Sequence, residues 1–342
     1  MQKNIKIGKK IIGDKHLPYI IAEVAQAHDG SLGMAHSYID AAAEAGVDAI
    51  KFQTHFAEQE STFNDKFRIR FSYEDKNRFE YWKRIEFDKS GWEKLKKYAE
   101  KKGLTFLSSP FSLKAVNLLS SLNVSAWKIG SGEVQNFEML SQIKLSKKPI
   151  LISNGMSTES EIKKTLKFLN KKNVALLYCV SSYPSKNSEI DINEISLLKK
   201  KFKVPVGFSD HSGSIYPSQI AMCSGANLVE VHVNFDRKMF GPDSSSSVTF
   251  EELKKIVEFK KNLFEIKLKK KKIKKNYRNK KLFNRSYALK IDLNKGSKIK
   301  FDHLTLKKPG GGISYFERKK IIGKTLKKNK SKNRLLRLSD FK

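Results

Sequence analysis

The chain has 342 residues, 39% of them hydrophobic, with 68 Lys and Arg against 35 Asp and Glu and a formal net charge of +33. That length suits one large domain plus a small one, and no apolar run approaches the roughly twenty residues a transmembrane helix needs. Two cysteines, Cys179 and Cys223, exclude a disulfide framework and any CxxC motif, and both are expected as core thiols. The positive excess suggests nucleic acid or an anionic surface at first sight. It is mostly Lys spread along helices, such as Lys94, Lys96, Lys97, Lys101 and Lys102, and no zinc-finger, helix-turn-helix or RNP pattern accompanies it. These lysines read as solvated faces, whose field also favours phosphorylated small molecules. The amino terminus lacks the apolar segment of a signal peptide, so a soluble cytoplasmic protein is expected.

From residue 19 short apolar runs alternate with longer amphipathic ones. Strands are expected at Tyr19–Val24, Asp48–Gln53, Leu104–Ser109, Ala126–Ser131, Pro149–Asn154, Val174–Cys179, Pro205–Asp210 and Asn227–His232. Helices are expected at Met34–Ala45, Gly91–Lys102, Leu113–Leu122, Phe137–Leu145, Glu159–Lys171, Ile192–Phe202, Tyr216–Ser224 and Phe250–Ile266. Ser157-Thr158-Glu159-Ser160-Glu161 reads as the N-terminal cap of the fifth helix, with an acidic first turn. Eight βα units over about 250 residues match a (β/α)8 barrel. An open doubly wound sheet is the alternative, but no GxGxxG or Walker A pattern is present. The loop from His55 to Asp88 is long and rich in charged and aromatic residues, as lids and surface excursions both are. The expected organisation is a TIM-barrel domain over 1–266, a basic linker over 267–281 and a small β-rich domain over 282–342, the last marked by short strands and Gly/Pro turns.

In such a barrel the active site lies at the carboxyl ends of the strands. The tips carry Glu23; Lys51 and Gln53; Ser108 and Ser109; Lys128, Ser131 and Glu133; Ser153 and Asn154; Tyr183; Ser209, Asp210 and His211; Glu230 and His232; and Asp243 in a following loop. His211 and His232 end successive strands, where two imidazoles can share a divalent metal ion. Two lysines among hydroxyls and glycines make a cradle for phosphate and carboxylate. Carboxylates at Glu23, Glu133 and Asp243 suit sugar hydroxyls or proton transfer. Lys51 or Lys128 as a Schiff-base nucleophile is the competing use.

Ile21–Val24, Ile50–Gln53, Ser109–Ser112, Lys128–Glu133, Gly207–His211 and Gly241–Asp243 resemble the sialic acid synthase (N-acetylneuraminate synthase) family. The tail, from Arg285-Ser286 through Lys308-Pro309-Gly310-Gly311-Gly312-Ile313, resembles that family's antifreeze-like (SAF) domain. The resemblance implies a metal-dependent condensation of phosphoenolpyruvate with an open-chain N-acetylmannosamine-type sugar. It implies that Lys51, Ser109, Lys128, Ser131, Ser153 and Ser209 hold phosphoenolpyruvate, and that His211 and His232 bind Mn2+ or Mg2+. Glu133 would move a proton or stabilise positive charge, and Glu23, Gln53, Tyr183 and Asp243 would contact the sugar. It also implies a domain-swapped homodimer that brings Lys308 to the partner's barrel mouth. Three positions depart from the pattern: Ala27 replaces a frequent Asn, Ser181 replaces a common Asn, and Lys308 replaces an Arg, losing bidentate geometry. They bear on which N-acyl sugar is used, N-acetylmannosamine or a diacetamido-dideoxy hexose. A Schiff-base aldolase and a basic nucleic-acid-binding protein are the competing readings.

Overall fold

A short antiparallel hairpin, β1 (Ile5–Ile7) and β2 (Lys10–Ile12), opens the chain in the computed structural model, which describes residues 4–267 and 276–342. The alternating elements follow: β3 (Tyr19–Ala25), α1 (Leu32–Ala45), β4 (Ala49–Thr54), α2 (Ala57–Glu60), α3 (Arg78–Ile85), α4 (Lys89–Lys101), β5 (Thr105–Pro110) and α5 (Leu113–Ser121). They continue as β6 (Trp127–Ile129), α6 (Phe137–Leu145), β7 (Ile150–Ser153), α7 (Glu159–Phe168), β8 (Val174–Cys179), α8 (Glu194–Phe202), β9 (Val206–Asp210), α9 (Ile215–Cys223), β10 (Leu228–Asn234), β11 (Val248–Thr249) and α10 (Phe250–Lys267). β3 to β10 pair in parallel in the order β5-β4-β3-β10-β9-β8-β7-β6, and β5 lies beside β6 to close the ring. This is a (β/α)8 barrel.

The inside of the ring follows from the period of two along each strand. Tyr19, Ile21, Ala49, Leu107, Ala126, Leu151, Ala175, Leu177 and Leu228 form one buried cluster, joined by Ile5, Ile7 and Ile12 of the hairpin. The hairpin, absent from the sequence expectation, therefore fills the floor. One step further along the same inward faces, the apolar layer gives way to Glu23, Lys51, Ser109, Lys128, Ser153, Ser209, Glu230 and His232, all buried. Gly207 sits in the inner layer because a Cβ there would lie 2.5 Å from Leu228 Cγ and closer still to its carbonyl oxygen. The outer faces pack on the helices in a second, larger cluster that includes Ile20, Ile50, Phe106, Trp127 and Val231.

Some expected boundaries shift. The fourth barrel strand ends at Ile129, and Ser131–Glu133 form a 3-10 turn beyond it. The helix expected to reach Lys171 stops at Phe168, because Asn170 and Lys171 take left-handed φ of 61° and 49°. Its start is the expected one, with Thr158 and Glu161 forming a capping box. Cys179 is buried, but Cys223 is exposed on α9, which corrects the expectation of two core thiols.

The chain divides into two compact units, Met1–Lys269 and Lys270–Lys342. Of the basic run Lys267–Lys275, everything after Lys267 lies outside the described residues. The end of the expected linker falls in helix α11 (Tyr277–Phe283). The second unit carries β12 (Ser286–Leu289) paired antiparallel with β13 (Leu304–Lys307). Its own core includes Tyr287, Leu289, Ile299, Leu304, Ile321, Leu336 and Phe341.

Candidate active site

The carboxyl ends of the strands line a cavity of about 720 Å³. At its centre lie two lysines and two glutamates with almost no access to water. Lys51 Nζ sits 2.8 Å from Glu23 Oε2 and 3.8 Å from Glu230 Oε2, and Lys128 Nζ sits 3.3 Å from Glu230 Oε1. The register explains the meeting: Glu23 pairs with Lys51 across β3 and β4, and His232 pairs with Glu23 across β10 and β3. Four buried charges persist only because they compensate one another.

The four groups differ in their hold on a proton. Burial pushes the Glu230 carboxyl up, but Lys128 and Lys51 together outweigh this and bring it down to about 2. For Glu23, burial prevails over the single close lysine and the carboxyl is raised. Burial opposes the Lys51 ammonium, yet Glu23 and Glu230 hold it above the usual lysine value. Lys128 is lowered, chiefly by burial.

Around this centre stand the hydroxyls. Lys51 donates to Ser109 Oγ at 3.2 Å, and Ser209 donates to Glu230 Oε1 at 3.0 Å. Ser131 lies 3.2 Å from Cys179 Sγ. Ser153 Oγ is buried with no hydrogen-bond partner among the described residues, a state native proteins avoid unless a ligand or water completes it. Glu133 borders the cavity and accepts from Asn136 Nδ2 at 2.9 Å.

Opposite lie the imidazoles. The rings of His211 and His232 are 5.4 Å apart, and Tyr183 stacks on His211 at 4.2 Å with its hydroxyl 3.2 Å from Nε2. His211 Nδ1 is 2.7 Å from the Val180 carbonyl, so Nδ1 carries the proton and Nε2 turns its lone pair to the cavity. Burial pushes His211 down to about 4, and burial with the neighbouring His211 pushes His232 well below the usual histidine value. Both are neutral. His232 Nδ1 is 3.9 Å from Asp243 Oδ2.

Glu23, Lys51, Gln53, Ser109, Lys128, Ser131, Glu133, Ser153, Tyr183, Ser209, His211 and His232 thus line this cavity and Asp243 an adjoining recess of about 140 Å³. Ser108 instead bonds Thr54, Asp210 accepts from Ser218, and Asn154 lines a separate recess. Lys308 belongs to the second unit, where its ammonium lies 5.4 Å over the Phe283 ring.

The NeuB family matches residues 38–272. This chain belongs to the NeuB family. An N,N'-diacetyllegionaminic acid synthase of Campylobacter jejuni is 33% identical over 331 residues, covering 93% of this chain and 98% of that protein. The human N-acetylneuraminate-9-phosphate synthase is 33% identical over 254 residues, covering 72% of this chain and 70% of its own. The crystal structure of the N-acetylneuraminic acid (sialic acid) synthetase of Leptospira borgpetersenii, in complex with citrate, superposes with a TM-score of 0.72 at 32% identity, over 82% of this chain and 95% of that one. As a NeuB member the chain is an enzyme of the N-acetylneuraminate synthase type. Among its described residues no helix is long and apolar enough to cross a membrane.

Sequence reasoning gave Glu230 no role, although it precedes His232 by two residues and so shares its face. It also passed over two residues of the second loop. His55 stands among Gln26, Gln53 and Glu60. Arg68 donates to the Tyr183 and Pro242 carbonyls and to Asp243 Oδ1, each at 3.3 Å.

Proposed function

We propose that the chain condenses phosphoenolpyruvate with the open-chain form of an N-acyl amino hexose and releases phosphate by C–O cleavage. The observation that carries this reading is the pair of buried ammonium groups, Lys51 and Lys128, beside the unpartnered Ser153 hydroxyl and facing two neutral imidazoles within one cavity. Cations and hydroxyl donors suit a phosphate and a carboxylate. The relatives' names support an N-acyl nonulosonic acid as the product.

In this reading Lys51, Ser109, Lys128, Ser131, Ser153 and Ser209 hold phosphoenolpyruvate, and Glu23, Gln53, Tyr183 and Asp243 hold the sugar. The methylene carbon of phosphoenolpyruvate bonds to the sugar aldehyde carbon, whose oxygen takes a proton. Water adds to the resulting cationic C2 carbon, which Glu133 faces as the proton-transfer group. The bridging C–O bond then breaks, leaving an α-keto acid and inorganic phosphate.

The residues present fit a divalent metal. His211 is neutral, with Nδ1 held by a backbone carbonyl, the arrangement that presents Nε2 as a ligand, and His232 stands beside it. Among the described residues no three His, Cys, Asp or Glu side chains form a ready cage, so oxygen ligands would complete the set. Mn2+ or Mg2+ held there would polarise the sugar aldehyde as a Lewis acid.

The test is phosphate release from phosphoenolpyruvate labelled with 18O at the bridging oxygen. It is run with N-acetylmannosamine or a diacetamido-dideoxy hexose, with Mn2+, and with or without EDTA. Label in the phosphate, lost on chelation, is expected. Release with no sugar on that panel is the result that overturns the reading. The lowered Lys128 favours one other reading, a Schiff-base aldolase; Lys51, held as an ammonium, is unsuited to it. Borohydride reduction with substrate is expected to leave the protein mass unchanged, and an adduct on Lys128 would favour the aldolase. The reading further takes 282–342 as an SAF domain and the chain as a homodimer, which a monomer mass in ultracentrifugation would refute.

A further inference from the structure

We propose that His55 is a positioning residue for the sugar end of the site, acting through Gln53. The inference rests on the reading that Gln53 contacts the sugar. The His55 ring lies between two aromatic faces, 4.8 Å from Trp82 at 11° and 4.4 Å from Phe111 at 12°. Between parallel rings it can turn only in its own plane, so the direction of each nitrogen is set by what its edges meet.

Nδ1 meets Glu60 Oε1 at 2.9 Å. An ionised carboxylate only accepts, so Nδ1 donates there. At the other edge Nε2, left with a lone pair, accepts from Gln26 Nε2 at 3.1 Å, with Gln53 Oε1 beside it at 3.0 Å. Gln26 Nε2 also donates to Gln53 Oε1 at 3.3 Å, while Gln53 Nε2 donates to Glu23 Oε1 at 3.1 Å. The Gln53 carboxamide is thereby held at both ends. Exchanging its oxygen and nitrogen would set its amide against the Gln26 amide, donor against donor.

The result is one continuous chain of polar contacts, from Glu60 through His55, the Gln26 amide and Gln53 to Glu23 and Lys51 at the cavity centre. Glu60 and Trp82 both lie between β4 and α4. The long second loop therefore contributes to the site by fixing an imidazole, and through it the orientation of a side chain deeper in the barrel.

His55→Phe tests this, because it keeps the aromatic stack and removes both nitrogens. The KM for the sugar is expected to rise roughly tenfold, the scale of one well-oriented hydrogen bond, with the KM for phosphoenolpyruvate unchanged. The double variant His55→Phe with Gln53→Ala is expected to be no weaker than Gln53→Ala alone, since residues acting in series are not additive. Losses that add, or that fall equally on both substrates, would overturn the proposal. Should His55→Phe fail to fold, Glu60→Ala leaves the ring and its stack in place and is expected to shift the sugar KM in the same direction. If the wild-type chain condenses no sugar, the synthase reading fails by itself. The His55 claim is then decided by the crystal structure of His55→Phe: a Gln53 amide turned away from Glu23 supports it, and one still bonded to Glu23 refutes it.

Discussion

Lys128 Nζ lies 3.3 Å from Glu230 Oε1, and both side chains are nearly inaccessible to water. Glu230 is also the carboxylate that Lys51 approaches from the other side. Replacing it as Glu230→Gln leaves two buried lysines with Glu23, among the described residues, as their remaining ion-pair partner. Breaking a buried pair in this way costs about 3–5 kcal/mol, and urea denaturation of the variant should show a loss on that scale. A loss under about 1 kcal/mol would mean that Lys128 discards its proton instead.

His28 gives the fold a pH dependence separate from the imidazole pair. It is fully buried, accepts from the Gly30 amide at Nδ1, and packs 4.6 Å from Phe87. Burial pushes it down to about 3 from 6.5. Between those values the unfolded chain binds a proton that the folded chain refuses, so stability must fall as pH drops below 6.5. Denaturation at intervals from pH 7.5 to pH 5 should show that fall. His28→Asn should lessen the slope while the share of His211 and His232 remains, and an unchanged slope in the variant would assign the proton to those other groups.

Arg68 ties the second loop to the strand ends, with its guanidinium 4.7 Å over the Tyr183 ring. It is largely exposed, so Arg68→Ala should cost about 1 kcal/mol or less in stability. The same change should speed protease cleavage within residues 61–77 and raise the sugar KM. Cleavage at the wild-type rate would show that the loop holds its place without this contact.

Gly207→Ala probes the inner layer. The added methyl meets Leu228 at 2.5 Å from Cγ and nearer its carbonyl, and backbone cannot yield as a flexible side chain does. Overpacking of this kind costs about 1–3 kcal/mol. A variant as stable as the wild type in urea would show that β9 and β10 can separate without loss.

Much of this architecture was legible because strands buried on both faces read as apolar runs, and helices as amphipathic ones. The carboxyl ends of those strands then place Lys51, Ser209 and His232 at one mouth. Glu230 shared that face but was given no role, because its significance lies in Lys128, which is remote in sequence and adjacent only across the ring. His55 was invisible for a related reason: its neighbours Trp82 and Phe111 come from distant segments. Cys223 was misplaced because Ile215–Cys223 is apolar around most of its circumference, with Tyr216 and Ile220 exposed and Met222 buried, so no periodic signal marks the inner side. The hairpin β1–β2 escaped notice because three-residue strands carry too little pattern.

That hairpin makes the barrel a cul-de-sac. With Ile5, Ile7 and Ile12 closing the floor, a molecule bound against Lys51 and Lys128 enters and leaves past whatever occupies the ground near Tyr183 and Asp243. Traffic through such a vessel is last in, first out. The substrate seated deepest must arrive before the other, and steady-state inhibition patterns should be those of compulsory order rather than of random access.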